Sequence, residues 1–414
     1  MESSRLDDLL NTVRDVEVTR AKKRPDGWEP LVLSEAGGYI TTEPSATPPT
    51  DWTDFLSQLL PDGMNVSDYE VDDTNVEMRA WDGNIGNGET RRFYYFKAKI
   101  RRKTLAFERR NIDDIIALAR KTRTRKLSVD SDRAYWVHLT DFQAGQADGD
   151  GVAGMVHRLD ELADIVRADL EALKQAKKPV AEIFVPITGD LVEGIDGWYA
   201  MQRFSVQLDR RDQVKLVRRL VTEFLLQLAE TNLPVRVAVV PGNHGENRLD
   251  GKAFTSLNDN DDVAVIEQIA EAFAIAKVKN VSFVIPQRDR IHLTTEVQGW
   301  IVGLTHGHVA RGGSSPEQKI LNWFERMAVS RDSIGSSDIL FTGHYHSGKW
   351  SQLVGDTDWI QGGTLSDTSA WFSQAAGLAS DPCVLRGTIT RTQKLESVMP
   401  HRWPRSKPET REIA

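Results

Sequence analysis

The chain has 414 residues, 40% of them hydrophobic and 27% charged, with a formal net charge of −8. That length admits two domains or one large domain with an appendage. The acidic balance excludes a protein drawn to nucleic acid by its overall field, so a polyanion partner would have to be held by a local basic patch or by bound metal. A single cysteine, Cys383, rules out an intramolecular disulfide and fits a reducing compartment. The first eight residues are acidic and lack the apolar centre of a secretory signal, and no apolar run approaches the length of a membrane span. A cytoplasmic protein with no membrane partner is expected.

Three regions follow one another. Residues 1–130 read as an N-terminal accessory domain, opening on a helix-like stretch at 6–16 and continuing through turn-formers such as Pro25-Asp26-Gly27 and Gly37-Gly38. Residues 75–81 and 92–102 read as two strands of a hairpin, joined by the glycine- and asparagine-rich segment 83–88. A basic, helix-prone connector spans 107–126 and ends in the charged run 122–126, the best boundary candidate. Residues 131–370 alternate strand and helix: strands at 135–139, 183–187, 235–240, 281–285, 300–304 and 339–341, and helices at 155–173, 214–228 and 263–273. Such alternation predicts a layered α/β core. The helix at 214–228 is amphipathic and reads as packed on the sheet, with a homodimer face as the alternative. Residues 371–414 read as a strand pair, 384–390 and 394–398, and a loose tail.

Five short clusters fall where a predicted strand gives way to a loop: Thr140-Asp141-Phe142-Gln143, Thr188-Gly189-Asp190, Pro241-Gly242-Asn243-His244-Gly245-Glu246, Thr305-His306-Gly307-His308 and Gly343-His344-Tyr345-His346. Strand ends are where α/β folds place active sites. Carboxylates, an amide oxygen and imidazoles together suit borderline divalent metals. Alternation in an extended segment lets Asp141 and Gln143 aim at one point, and His344 and His346 at another. A carboxylate such as Asp190 can bridge two cations, which together can bind a phosphate and stabilise attacking and leaving oxygens.

In this order the clusters resemble the signature of calcineurin-like metallophosphoesterases: D-x-H, G-D, G-N-H-[DE], G-H and G-H-x-H. The resemblance covers Asp141 to His346, about half of the chain. It implies a four-layer α/β/β/α sandwich with the N-terminal region as an addition to it. It also implies a first metal held by Asp141, Gln143, Asp190 and His346, and a second held by Asp190, Asn243, His306 and His344. His244 would then contact the phosphate and protonate the leaving oxygen, and a metal-bridging hydroxide would attack. Two divalent ions are implied, manganese first, with zinc, iron and magnesium as alternatives. Gln143 departs from the pattern, which has histidine there; an amide oxygen is the poorer ligand and favours a harder ion. The third motif also departs, with Gly245 before the acidic Glu246, which either serves the acidic role one position later or is a loop residue.

Other polar residues have plainer readings. His138 reads as a packed strand residue rather than a ligand, His292 as a solvated hairpin residue and Glu193 as a solvated loop carboxylate, with reach into the substrate site as the alternative. His308 competes with His306 for the second metal or touches substrate. Arg203, Arg210 and Arg211 read as a solvated helix face, with a phosphate clamp as the alternative. Lys97, Lys99, Arg101 and Lys103 alternate along one predicted strand face after the aromatic run Phe93–Phe96, a pattern that tracks nucleic-acid backbones or simply solvates a sheet. Trp28, Trp52 and Trp81 read as core of the small domain. A phosphodiesterase or nuclease acting on DNA or RNA is the leading expectation, similar to recombination-repair nucleases and to phosphoesterases of bacteriophage genomes. A phosphatase or cyclic-nucleotide phosphodiesterase for small molecules or phosphoproteins is the second. A non-catalytic binding protein that keeps the fold is the third.

Overall fold

The computed structural model describes residues 29–34, 37–44, 49–60, 66, 69–86, 89–102, 112–121, 131–195, 202, 206–249, 252–253, 255–257, 259–367 and 381–404. The expected helix at 6–16, the boundary run 122–126, and Trp28, Lys103 and Arg203 lie outside the described residues. The chain divides into two compact units, Met1–Phe107 and Glu108–Ala414.

The first unit contains β1 (Leu31–Ser34), β2 (Gly37–Thr41), α1 (Trp52–Ser57), β3 (Tyr69–Gly86) and β4 (Glu89–Arg102), the strands forming an antiparallel sheet in the order β1-β2-β4-β3. The hairpin forms, but its strands run further than expected. Pairing continues to Gly86 opposite Glu89, so residues 83–86 are strand and only 87–88 lie between the strands. Phe96, Ala98 and Ile100 turn inward and pack with Ile40, Trp52 and Leu56. Trp81 stacks on Phe93 with centroids 5.6 Å apart. The alternate positions of β4 carry the basic stripe, and Lys97 and Lys99 face acids on the neighbouring strand, Glu77 and Asp72, while Arg101 pairs in backbone register with Glu70. The Lys97 ammonium also sits 3.3 Å from the centre of the Tyr39 ring.

The second unit contains α2 (Ile112–Lys121), β5 (Arg133–Val137), α3 (Gly151–Gln175), β6 (Glu182–Ile187), α4 (Arg210–Ala229), β7 (Val235–Val239), the short β8 (Arg248–Leu249) and β9 (Lys252–Ala253), α5 (Asp261–Ala276), β10 (Val281–Val284), β11 (His292–Val297), β12 (Trp300–Thr305), α6 (Pro316–Val329), β13 (Ile339–Thr342), β14 (Lys349–Gln352), β15 (Asp358–Gln361), β16 (Cys383–Thr390) and β17 (Ser397–Arg402). One sheet has the order β10-β7-β6-β5-β16-β17, with β10, β7, β6 and β5 parallel. The other has the order β11-β12-β13-β15-β14, with β12, β13 and β15 parallel and antiparallel strands at both edges. The strands after residue 371, read above as a region of their own, extend the first sheet: β16 pairs with β5 and carries β17 outside it. The last strand lies at 397–402 rather than 394–398 and holds Pro400, which an edge strand tolerates because its missing N–H is not needed.

Burial explains these elements. Val152, Met155, Leu159, Leu162, Ala163 and Val166 recur at helical spacing and form the buried stripe of α3. In α4 the stripe is Leu216, Val217, Leu220, Val221, Phe224 and Leu225, and the Asp209 side chain caps the first turn by accepting from Asp212 N. The inner strands β5, β6, β7 and β13 read as near-continuous apolar runs because each is covered on both faces. Trp136, Phe184 and Ala238 of the first sheet share a buried cluster with Leu304, Phe341 and Ile360 of the second, and Phe341 meets Trp136 edge-on at 5.3 Å. Helices α4 and α5 lie against β7, while Ile320, Trp323 and Phe324 of α6 pack on Leu340 and Trp359 of the other sheet. Among the described residues, no helix is long and apolar enough to cross a membrane.

Candidate metal centre

All five clusters sit at the C-terminal ends of parallel strands: the first three follow β5, β6 and β7, and the last two follow β12 and β13. Backbone bonds tie neighbouring turns together. Asp141 N donates to Gly189 O at 3.0 Å, Gln143 N to Asp190 O at 2.9 Å, and Gly343 N to His306 O at 3.0 Å. At these turns the chain reverses so sharply that Asp141, Gln143, Asp190, His344 and His346 all have φ between 44° and 75°. Residues with a Cβ avoid this left-handed region at a cost of about 1–3 kcal/mol each when they are held there. Five of the seven residues expected to bind metal are held in that conformation. The glycines beside them have a different task. A Cβ on Gly242 would collide with the backbone N and Oδ1 of Asp190, so these two turns touch only because position 242 has no side chain.

The side chains meet in two groups. In one, His306 Nε2 lies 2.9 Å from Asp190 Oδ2 and 3.0 Å from Asn243 Oδ1. His306 Nδ1 is 2.6 Å from the carbonyl oxygen of Thr188, so Nδ1 donates to that carbonyl and Nε2 is the atom turned toward the two oxygens. His344 completes this group: one donor atom from each of Asp190, His306 and His344 lies within 4.8 Å of the others, so these three could hold a metal ion. In the other group, His346 Nε2 lies 3.3 Å from Asp141 Oδ1 and 3.1 Å from the Gln143 amide. An amide's oxygen and nitrogen exchange by a flip, so Gln143 can present its oxygen to the same point. Asp141 also accepts from His344 N and from Thr140 Oγ1, which fixes the carboxylate.

Asp141, Asp190 and Asp262 are at most 1% exposed. Among the described residues no lysine or arginine pairs with any of them. Buried carboxylates need compensating charge. Here it comes from imidazole, or from cations that the same lone pairs would bind. Burial works to raise the Asp190 carboxyl, yet His306 and His244 hold it well below the usual carboxylate range. Burial would lower His306, but the Asp190 carboxylate beside it pushes it up to about 9. Burial, reinforced by the charge of His306, drives His344 well below the usual histidine range, so its ring is neutral. Imidazoles, carboxylates and an amide oxygen form a donor set that fits borderline divalent cations.

His244 stands beside this cluster and outside it. Its backbone N–H donates to Asp190 Oδ1 at 2.8 Å. Its Nδ1 donates to Glu193 O at 2.7 Å, with the Glu193 carboxylate 3.4 Å away. Burial alone would lower its pKa, but Glu193 and then Asp190 push it up to about 10. Glu193 is therefore not the solvated loop carboxylate expected from sequence: it is 2% exposed, and Gln202 Nε2 donates to its carbonyl. Glu246 lies elsewhere, 2.6 Å from Arg248 and 3.6 Å from His308 Nε2. The His308 ring lies tilted beside His306, with centroids 5.4 Å apart, and is lowered to about 3, first by burial.

His138 is buried, bonded to Thr188 Oγ1 and edge-on to Phe341, a packed residue with its own role in the core. His292 is not solvated; it bonds Asp332 at 3.0 Å and packs on Trp323. Arg210 is tied to Asp261 and Asn247, whereas Arg211 is exposed. The signal that would have found Glu193 is its place two residues into the apolar Leu191-Val192 step that follows Asp190, where a buried run has no room for a solvated acid. Asp262 was missed altogether, because acids in the first turn of a helix are ordinary.

No protein-family profile matches the chain, and no curated protein matches it in sequence. Several solved structures are similar in fold. Vacuolar Protein Sorting 29 from Cryptosporidium parvum aligns with a TM-score of 0.31 at 12% identity, over 66% of this chain and 100% of its own. A conserved uncharacterized protein from Streptococcus pneumoniae, described as a predicted phosphoesterase, aligns with a TM-score of 0.26 at 13% identity, over 66% and 98%. A dimetal phosphatase from Danio rerio aligns with a TM-score of 0.28 at 12% identity, over 65% and 99%. At these TM-scores the likeness is loose, and the centre's own geometry carries the functional reading.

Proposed function

We propose that the protein is a metal-dependent phosphoesterase with a dinuclear centre, set in an α/β/β/α sandwich of the calcineurin-like kind. The observation that carries this is the convergence of two oxygens, Asp190 Oδ2 and Asn243 Oδ1, within 3.0 Å of His306 Nε2, all three residues buried. Asp190, Asn243, His306 and His344 would hold one divalent cation, and Asp141, Gln143, Asp190 and His346 the other. Such cations polarise phosphoryl oxygens and acidify water, and manganese, zinc, iron and magnesium all suit this donor set to different degrees.

The chain's own residues supply the rest. Oδ2 of the Asp190 carboxylate meets His306, and its Oδ1 fixes the backbone of His244. Glu193 keeps the His244 ring protonated and oriented through Nδ1, which leaves Nε2 as the atom that gives a proton to the leaving oxygen. Neutral His308, beside His306, borders the place where substrate would lie.

The substrate is a phosphate monoester or diester. Cleavage of DNA or RNA draws its support from the basic stripe of β4, and the acids opposite Lys97 and Lys99 offset that charge. A polyanion-tracking surface needs uncompensated charge, so small esters are the favoured class. The test is hydrolysis of a panel of monoesters, diesters, cyclic nucleotides, DNA and RNA with manganese, zinc or magnesium added. Turnover of small esters that is lost in Asp190→Ala is expected. No hydrolysis of any member, with the wild-type protein folded and metal present, would remove the reading.

A further inference from the structure

Asp262 is the second residue of α5, where an acid ordinarily faces solvent or accepts from the N–H groups of its own helix. It does neither. Its side chain is 0% exposed and turns away from the helix toward two other segments. Oδ2 accepts from Asp190 N at 2.8 Å and from Gly242 N at 2.9 Å, and Oδ1 accepts from Leu191 N at 2.9 Å. These donors lie 72, 20 and 71 residues away in sequence. They belong to the two turns that carry Asp190 and Asn243.

Asn260 completes the arrangement. Its Oδ1 accepts from Asp262 N at 2.9 Å, and its Nδ2 donates to Gly242 O at 2.8 Å. Both polar groups of Gly242 are thereby fixed by one loop, and Asn243 is the next residue. The bonds from Asp190 N and Leu191 N to Asp262 brace the left-handed backbone of Asp190, and the bond from Gly242 N ties the second turn to the same side chain. A neutral amide could not replace the carboxylate, since its NH₂ would face a backbone donor.

We infer that Asp262, seated by Asn260, is a positioning residue that holds Asp190 and Asn243 in place for a divalent cation. It touches neither cation nor substrate and acts through the two ligands. The inference rests on the metal-centre reading above. Partners behind the ligands of a metal site usually contribute a factor of about 10–100 to affinity.

The test is equilibrium dialysis of the full chain against manganese chloride, with thermal midpoints measured with and without the ion. Asp262→Asn, nearly isosteric, is expected to weaken Mn²⁺ binding by about 10- to 100-fold and to shrink the rise in midpoint that the ion produces. A merely structural role would lower the metal-free midpoint and leave affinity intact. Asn260→Ala changes no charge and serves if Asp262→Asn does not fold; it is expected to weaken binding by about tenfold. Mn²⁺ affinity within about twofold of wild type in whichever variant folds overturns the inference while leaving the metal centre standing. A wild-type protein that binds no divalent cation sinks both together.

Discussion

Replacing Glu193 by glutamine isolates the group that holds the proton on His244. The carboxylate lies 3.4 Å from Nδ1, and unit charges at that distance attract by about 5 kcal/mol at an effective dielectric near 20, or roughly three and a half pKa units. That is an upper value, because a glutamine dipole keeps part of the attraction and Asp190 shares the pull on the ring. Divalent cations on Asp190 would offset its share and leave Glu193 as the main support. A fall of at least about one unit is therefore expected. The sign follows from the raised pKa: the protonated ring is present below it and lost as pH rises through it. In the wild type that loss falls near the pKa of about 10, so activity toward a diester with a poor leaving group should persist to high pH. In Glu193→Gln the basic limb of kcat/KM moves down into the accessible range. The assay is a pH–rate profile with two diesters of different leaving-group pKa. Superimposable basic limbs in the two proteins would refute the role given to Glu193, and equal losses for both leaving groups in His244→Ala would refute proton donation by His244.

His344→Ala, like Asp190→Ala, is expected to abolish hydrolysis while leaving the fold intact, checked by turnover and circular dichroism. Gln143→His places an imidazole where an amide meets His346 and is expected to tighten Zn²⁺ binding by about tenfold, or 1.4 kcal/mol, measured by competition with a chelator. Phe341→Ala removes the ring that joins the two sheets and should cost about 3–5 kcal/mol in denaturant unfolding. Lys99→Glu puts an acid opposite Asp72 and should destabilise the protein by about 0.2–1 kcal/mol without changing ester hydrolysis.

Much of this was legible because the period of the pattern matched the element. The stripes of α3 and α4 and the apolar runs of β5, β6, β7, β12 and β13 were read to within a few residues. The ligands were legible because each closes such a run. Helix α6 was not read, although Ser315 capping and Pro316 in the first turn are ordinary start signals; only Ile320, Trp323 and Phe324 are buried, a stripe too narrow to stand out. The short strands β14 and β15 gave no period to detect. The union of β16 with β5 is a pairing between residues some 250 positions apart, which local pattern does not encode. Glu193 and Asp262 were misjudged or missed for a shared reason. Their work depends on which backbone groups the fold brings to them, and an acid in a loop or at a helix start looks the same in sequence whether it is solvated or buried.

Anomalous diffraction from crystals grown with manganese tests the central claim most directly. Two peaks are expected, one bordered by Asp190, Asn243, His306 and His344 and the other by Asp141, Gln143, Asp190 and His346. The absence of a peak beside Asp190, or manganese bound only at other carboxylates, would contradict it.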